Sequence, residues 1–267
     1  MADQGVVASA AKQVVEDYDT ALNEVFATLN NIGDIATIVA QTVRKSIDDV
    51  IDSERTGRWS VIQLEKTEKT YIGTRVEIGL VDRLRLSRGT KLDTTITGCE
   101  VDIKFSLSDS WMIPSEAVNQ VCLLVSADDE KGHYSFGAFR ATPASLCPGT
   151  NKDGKKAISA TGKQRIKWVT RKGFLSKNPL AELDADVRTA ILSRPKGQQR
   201  INELFRRVKN RPISRRLLCA LAQQDDPMKR VRDAKKQLSK EGIVVVCGRY
   251  KEERGKGATE CMSFDVK

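Results

Sequence analysis

Histidine is almost missing from this chain: one residue, His133, in 267. Chemistry that draws on several imidazoles, including His-rich metal sites, is thereby excluded. A lone histidine at the head of an apolar segment reads first as structural. The six cysteines, at 99, 122, 147, 219, 247 and 261, contain no C-x-x-C pair, so no zinc framework is indicated. Several lie inside apolar segments, which predicts buried reduced thiols. No apolar run reaches the roughly 18 residues that a membrane span needs. The N-terminus has no basic stretch leading into an apolar core, and Asp3 stands where one would be, which predicts a cytoplasmic protein without a signal peptide. The length leaves room for one large domain or two modest ones.

Acid is scarce in the second half of the chain. Residues 1–150 hold 15 Lys+Arg and 22 Asp+Glu, a net of −7, whereas residues 151–267 hold 30 and 13, a net of +17. A basic half of that size points to a polyanion, most simply nucleic acid, with a solvated basic surface as the plain alternative.

The most informative stretch runs from Leu92 to Ser108. Val101, Ile103, Phe105 and Leu107 alternate with Asp102, Lys104, Ser106 and Ser108, the period of a half-buried strand. Asp102 and Lys104 therefore project from one face. A turn near Thr97-Gly98 sends the chain back to Asp93, so two acids and a lysine meet across a hairpin. Such a set fits a metal-dependent phosphodiesterase. Asp-x-Lys itself occurs five times in the chain, at Asp102, Asp129, Asp153, Asp233 and Asp265. Only the first sits in an alternating strand with a second acid a hairpin away.

Amphipathic helices are expected at 7–30 and 34–53, and a third at Thr70–Leu86, where Ile72, Val76, Leu80 and Leu84 recur every four residues. Glu77 borders that apolar stripe and can point toward a neighbouring sheet. Val118–Ala127 and His133–Thr142 read as strands joined by an acidic turn, Asp128-Asp129-Glu130. The expected core is a mixed sheet with flanking helices. Pro148–Lys163, rich in Gly, Lys, Ser and Thr, reads as a loop that could contact phosphate or simply cross the surface. Residues 170–182 form a plausible linker. The division is thus a catalytic domain at 1–169, a linker at 170–182 and a second domain at 183–267.

In that second domain helices are expected at 184–193, 198–210, 214–224 and 227–240. Asp226-Pro227 starts the last of them and Gly242 ends it. Two apolar strands follow, at 243–250 and 258–266, around a charged turn at Lys251–Gly257. Helices followed by a hairpin make a winged helix-turn-helix. The last helix offers Lys229, Arg230, Arg232, Lys235 and Lys236 to DNA, and Arg206, Arg207, Arg215 and Arg216 on the preceding helices complete the candidate contacts. An ordinary basic helix face is the competing reading.

Several runs now resemble one family, the NaeI-type restriction endonucleases. They include Arg55-Thr56-Gly57-Arg58-Trp59, Lys66-Thr67-Glu68-Lys69-Thr70, Gly73-Thr74, Val76-Glu77-Ile78, Val101-Asp102, Lys104-Phe105-Ser106, Trp111-Met112, Asn202-Glu203-Leu204-Phe205-Arg206-Arg207-Val208, Ala222-Gln223-Gln224-Asp225-Asp226 and Met228-Lys229-Arg230-Val231-Arg232. The resemblance implies an α/β (α+β) enzyme: a restriction-endonuclease-like domain of the PD-(D/E)xK type, then a winged-helix, CAP-like domain that binds a second DNA copy as effector. It implies a magnesium-dependent homodimer acting on double-stranded DNA beside a cognate methyltransferase. The family's active-site positions fall on Glu77, Asp93, Asp102 and Lys104. The proline usual before the first hairpin acid is Leu92 here.

Chemistry agrees with that assignment. Mg²⁺ takes hard oxygen ligands, which Asp93, Asp102 and the Ile103 carbonyl would supply, with Glu77 acting through water or a second ion. Two alternatives stay open: a DNA nickase like MutH, and a non-catalytic winged-helix regulator, which would be free to lose one of the four residues. Tyr71-Ile72-Gly73 lacks the upstream partner tripeptide of a GIY-YIG nuclease and sits in a helical context.

Overall fold

A computed structural model of the chain describes residues 19–224, 226–247 and 261–265. Two compact units emerge. The first takes the chain up to Ile47 together with Lys66–Ser176, and the second takes Asp48–Glu65 together with Lys177 onward.

The first unit is built on a six-stranded mixed sheet. Its strands in chain order are β1 (Ser87–Arg88), β2 (Thr94–Ile96), β3 (Cys99–Ser106), β5 (Val121–Asp128), β6 (His133–Arg140) and β9 (Lys167–Phe174), which is also their order across the sheet. Only β3 and β5 run parallel; the other pairings are antiparallel. The first seven residues of β5 are buried, as a strand covered on both faces should be. Thr97 and Gly98 both adopt positive φ, 51° and 76°, which closes the β2–β3 hairpin in the primed-turn conformation suited to strand twist.

Helices α1 (Thr20–Asn30), α2 (Ile35–Ile51, whose last turn belongs to the second unit) and α4 (Lys66–Arg83) flank this sheet. Between the last two lies a single helical turn, α3 (Ser53–Thr56). Ile72, Val76 and Leu80 of α4 are fully buried. At Gly79 an added Cβ would come within 2.7 Å of Thr42 Cγ2, so the close crossing of α4 over α2 requires glycine there. The part of the first expected helix before Asp19 lies outside the described residues.

A second, three-stranded sheet orders β4 (Met112–Ile113), β8 (Lys156–Ile158) and β7 (Leu146–Thr150), with α5 (Ala160–Gln164) following. The loop expected across Pro148–Lys163 is therefore partly strand and helix. Its short, polar strands carry no alternation for a sequence reading to detect. Likewise β9 runs to Phe174, into the expected linker at 170–182. Gly173 acts as a packing residue, because a Cβ there would lie 2.7 Å from the Tyr134 ring.

Among its described residues the second unit has four principal helices, α6 (Ala185–Leu192), α7 (Gln198–Arg207), α8 (Arg215–Ala222) and α9 (Met228–Leu238), then an antiparallel pair, β10 (Ile243–Cys247) and β11 (Cys261–Asp265). One apolar core joins them, with Phe205, Leu204, Leu221 and Ala234 fully enclosed. Ser214 caps α8 by accepting from Leu217 N–H, Asp226 accepts from Met228 N–H at the start of α9, and Gly242 (φ 74°) ends the turn that follows. The Asp48–Glu65 segment is tied into this unit. Asp48 accepts from Asn178 Nδ2 and from Arg216, each at 2.9 Å, and Arg188 stacks 4.8 Å over the Trp59 ring.

The expectation of reduced thiols fails at two of the cysteines. Cys247 and Cys261 stand opposite one another in the β10–β11 register and are joined as a disulfide. Cys99, Cys122, Cys147 and Cys219 are not in a disulfide. The turn at Lys251–Gly257 lies outside the described residues.

Candidate active site

The β2–β3 hairpin brings Asp93, Asp102 and Lys104 together. Asp93 Oδ2 accepts a 2.7 Å hydrogen bond from the backbone N–H of Ile103. Lys104 Nζ donates to Asp102 Oδ1 at 2.7 Å and lies 3.9 Å from Asp93 Oδ2. The Ile103 carbonyl is a further 3.3 Å contact of the same ammonium. Asp102 is only 3% exposed, and its second oxygen, Oδ2, is buried without a hydrogen-bond partner.

Burial pushes the Asp102 carboxyl up to about 6, with the Lys104 charge pulling the other way. For Lys104 burial opposes the charge, but the Asp102 carboxylate outweighs it and holds the ammonium above the ordinary lysine value. Glu77 is half-buried on α4. Burial raises its carboxyl, and the nearby Asp93 charge adds to that, while Lys104 and Arg88 oppose it. All four sequence-predicted positions thus share one electrostatic neighbourhood.

Strand register places the site. Asp102 and Lys104 pair with Cys122 and Leu124 of β5, and Cys122 pairs with Phe139 of β6. Directly paired residues share a face. Cys122, Leu124 and Phe139 are covered by a cluster that includes Ile113, Leu146 and Ile158 from the small sheet and Trp111 just before it. The carboxylates and the small sheet therefore occupy the same face of the large sheet.

No three His, Cys, Asp or Glu side chains among the described residues converge as a metal cage. The available donors are two carboxylates and a carbonyl, and one carboxylate oxygen has no partner. That set fits a hard divalent cation that retains several waters.

Comparison with known proteins agrees in kind. The family model described as "Restriction endonuclease NaeI" matches residues 23–259. The "Type II restriction enzyme NaeI" of Lentzea aerocolonigenes is 39% identical over 240 residues, which is 85% of this chain and 75% of that protein. The chain belongs to the NaeI restriction endonuclease family.

In this NaeI-family chain the candidate DNA contacts divide into two groups. Arg206 makes a two-pronged pair with Glu241 at 2.7 Å, Arg207 pairs with Glu203 at 2.6 Å, Arg216 with Asp48 at 2.9 Å, and Arg215 lies 3.8 Å from Asp226. On α9, Lys229, Arg232, Lys235 and Lys236 are exposed, whereas Arg230 is half-buried. Counted by unit, the charge imbalance also changes. The first unit has 21 basic and 18 acidic residues, net +3, and the second has 24 and 17, net +7. The eight basic residues between Lys152 and Lys172 belong to the first unit.

One residue of the hairpin escaped the sequence reading. Glu100 Oε1 accepts from the Thr90 N–H at 2.8 Å and the Thr90 hydroxyl at 2.7 Å, and Oε2 accepts from Leu92 N–H at 2.9 Å and Lys91 N–H at 3.3 Å. Those bonds, the Thr90 hydroxyl first, hold its carboxyl down at about 2. The available signal was position: Glu100, Asp102 and Lys104 follow one another at the two-residue spacing of a single strand face.

Proposed function

We propose that this protein is a type II restriction endonuclease that hydrolyses phosphodiester bonds of double-stranded DNA with Mg²⁺, through Glu77, Asp93, Asp102 and Lys104. The observation that carries this reading is the pairing of Lys104 with a buried, partly unsatisfied Asp102 beside Asp93, in a chain of the NaeI family. Asp93, Asp102 and the Ile103 carbonyl would hold the cation, with Glu77 reaching it through water. A divalent ion bound there would supply Lewis acidity and make water a nucleophile near neutral pH. Lys104, released toward substrate, would orient the attacking oxygen and offset the charge that grows on the scissile phosphate.

The second unit supports a winged-helix reading: α8, a short connection, α9, then the β10–β11 pair. On that reading a second DNA copy binds there as effector, with Lys229, Arg232, Lys235 and Lys236 of α9 meeting phosphates and base edges. Arg206, Arg207, Arg215 and Arg216 would join them by exchanging carboxylate partners for phosphate. Cleavage of both strands implies a homodimer, and host survival implies a cognate DNA methyltransferase in the same, cytoplasmic, system. No helix among the described residues is long and apolar enough to cross a membrane.

Digestion of supercoiled plasmid with Mg²⁺ tests the reading. Linear product with ends at one sequence is expected from wild type, and none from Asp102→Ala or Lys104→Ala, both still shifting duplex DNA in a gel. Open circles alone would identify a nickase, and DNA binding without any cleavage would leave a winged-helix regulator.

A further inference from the structure

Among the candidate ligands Asp93 alone comes from neither a helix nor a strand: it follows the Gly89–Leu92 loop and immediately precedes β2. A loop would ordinarily hold a carboxylate loosely, yet Asp93 must sit within a few tenths of an ångström of its working position. Three successive backbone N–H groups of that loop, those of Thr90, Lys91 and Leu92, converge on the Glu100 carboxylate, with the Thr90 hydroxyl as a fourth donor. Convergent backbone N–H groups of this kind form an anion-binding nest, and here the anion is a side chain of the neighbouring strand. The loop backbone is folded tightly around that carboxylate. A Cβ at Gly89 would stand 2.3 Å from the Leu92 carbonyl oxygen and 2.6 Å from Glu100 Oε2.

We infer that Glu100 is a positioning residue that clamps the Gly89–Leu92 loop and so fixes Asp93 for binding the divalent cation. Glu100 is not itself a ligand on this account, because both its oxygens are engaged by loop donors. The strand divides the labour along one face: Glu100 holds the loop, Asp102 faces the cation, and Lys104 faces the substrate. The inference rests on the reading that Asp93 and Asp102 hold that cation.

The test is Ca²⁺ binding to the full-length protein by titration calorimetry, which needs no turnover, alongside thermal melting and the KM for a cognate duplex with Mg²⁺. Glu100→Gln keeps the size but halves the acceptor capacity. Gly89→Ala keeps the Glu100 charge and breaks the fold of the loop. Both are expected to weaken Ca²⁺ binding about tenfold, in the range found when outer partners of metal ligands are removed, and to raise the Mg²⁺ needed for half-maximal cleavage in step. Their KM for DNA should stay within twofold of wild type. Thr90→Val, which deletes one of the four hydrogen bonds, should give a smaller shift in the same direction and decides the matter if either other variant does not fold. Wild-type Ca²⁺ affinity in Glu100→Gln and Gly89→Ala, or in Thr90→Val if those are unfolded, would overturn the clamp. Asp93→Ala is the control for the underlying site: if it binds Ca²⁺ as wild type does, the ligand assignment itself fails.

Discussion

Lys104 Nζ sits 2.7 Å from one oxygen of Asp102, while the other oxygen of the same carboxylate is buried with no partner. A side chain arranged only for stability would not be left half satisfied, since a buried charge is costly unless its hydrogen bonds are complete. The arrangement leaves a carboxylate oxygen in the interior without a partner, at the expense of the fold.

That trade gives a first prediction. Asp102→Asn should remove cleavage while leaving the metal-free protein as stable as wild type or more so, by up to ~1–2 kcal/mol, because an amide is buried at lower cost than a carboxylate with an open valence. Urea unfolding without divalent ions measures it. A loss of stability would mean that the Asp102–Lys104 pair is chiefly a structural bridge.

A second prediction concerns which surface meets the scissile duplex. The β7–β8 hairpin carries Lys152, Lys155 and Lys156. Its tip is ordered by Asn151, whose side chain accepts from Asp153 and Lys155 N–H groups. The small sheet to which it belongs lies on the same face as Asp102. Replacing all three lysines with alanine should lower the slope of log affinity against log salt by about 0.9 for each phosphate that is no longer neutralised. KM should rise and kcat should hold. An unchanged slope, measured by cleavage across a salt series, would remove this hairpin from the DNA interface.

The strand and the turn were legible in the chain because both rest on local rules. Alternation from Val101 to Ser108 needs only neighbours two residues apart, and Thr97-Gly98 needs only its own backbone preference. The helix limits around Ser214, Asp226 and Gly242 are local in the same way. What escaped depends on distant partners. Asp48–Glu65 joins the second unit through Asp48 with Asn178 and Arg216, 130 and 168 residues away. The Cys247–Cys261 disulfide depends on a strand register that no spacing rule supplies. Glu100 acts on backbone N–H groups, which every residue but proline possesses, so nothing in the loop sequence advertised it.

Partners of that long-range kind lead to a third prediction, which sets an arginine engaged in an ion pair against an exposed lysine. Asp48 is buried and takes hydrogen bonds from Arg216 and Asn178. Arg216→Ala should therefore lower stability by about 1 kcal/mol or more by stripping a buried carboxylate of a partner. Lys236→Ala, on an exposed stretch of α9, should leave the melting temperature alone and weaken duplex binding. Thermal melts and gel shifts on the same two proteins read both effects. If the two variants exchanged phenotypes, the division of the basic residues drawn from their ion pairs would be wrong.

The fourth prediction is a pH dependence at the start of α1. Asp19 caps that helix by accepting from Leu22 N–H at 3.0 Å. It also takes two 2.6 Å hydrogen bonds from Arg140 of β6, tying helix to sheet. Chiefly through those Arg140 bonds, its carboxyl lies below the ordinary carboxylate range. A folded-state value lower than the unfolded one means that the stabilisation is fully present above the unfolded value, about 4, and disappears as pH falls through the folded value. Asp19→Asn should thus cost about 1–2 kcal/mol at pH 7. That deficit should shrink progressively as unfolding is repeated below pH 4, because wild type then loses the charge that the variant never had. A deficit that stayed constant down to pH 2.5 would assign the whole effect to helix capping and none to the Arg140 ion pair.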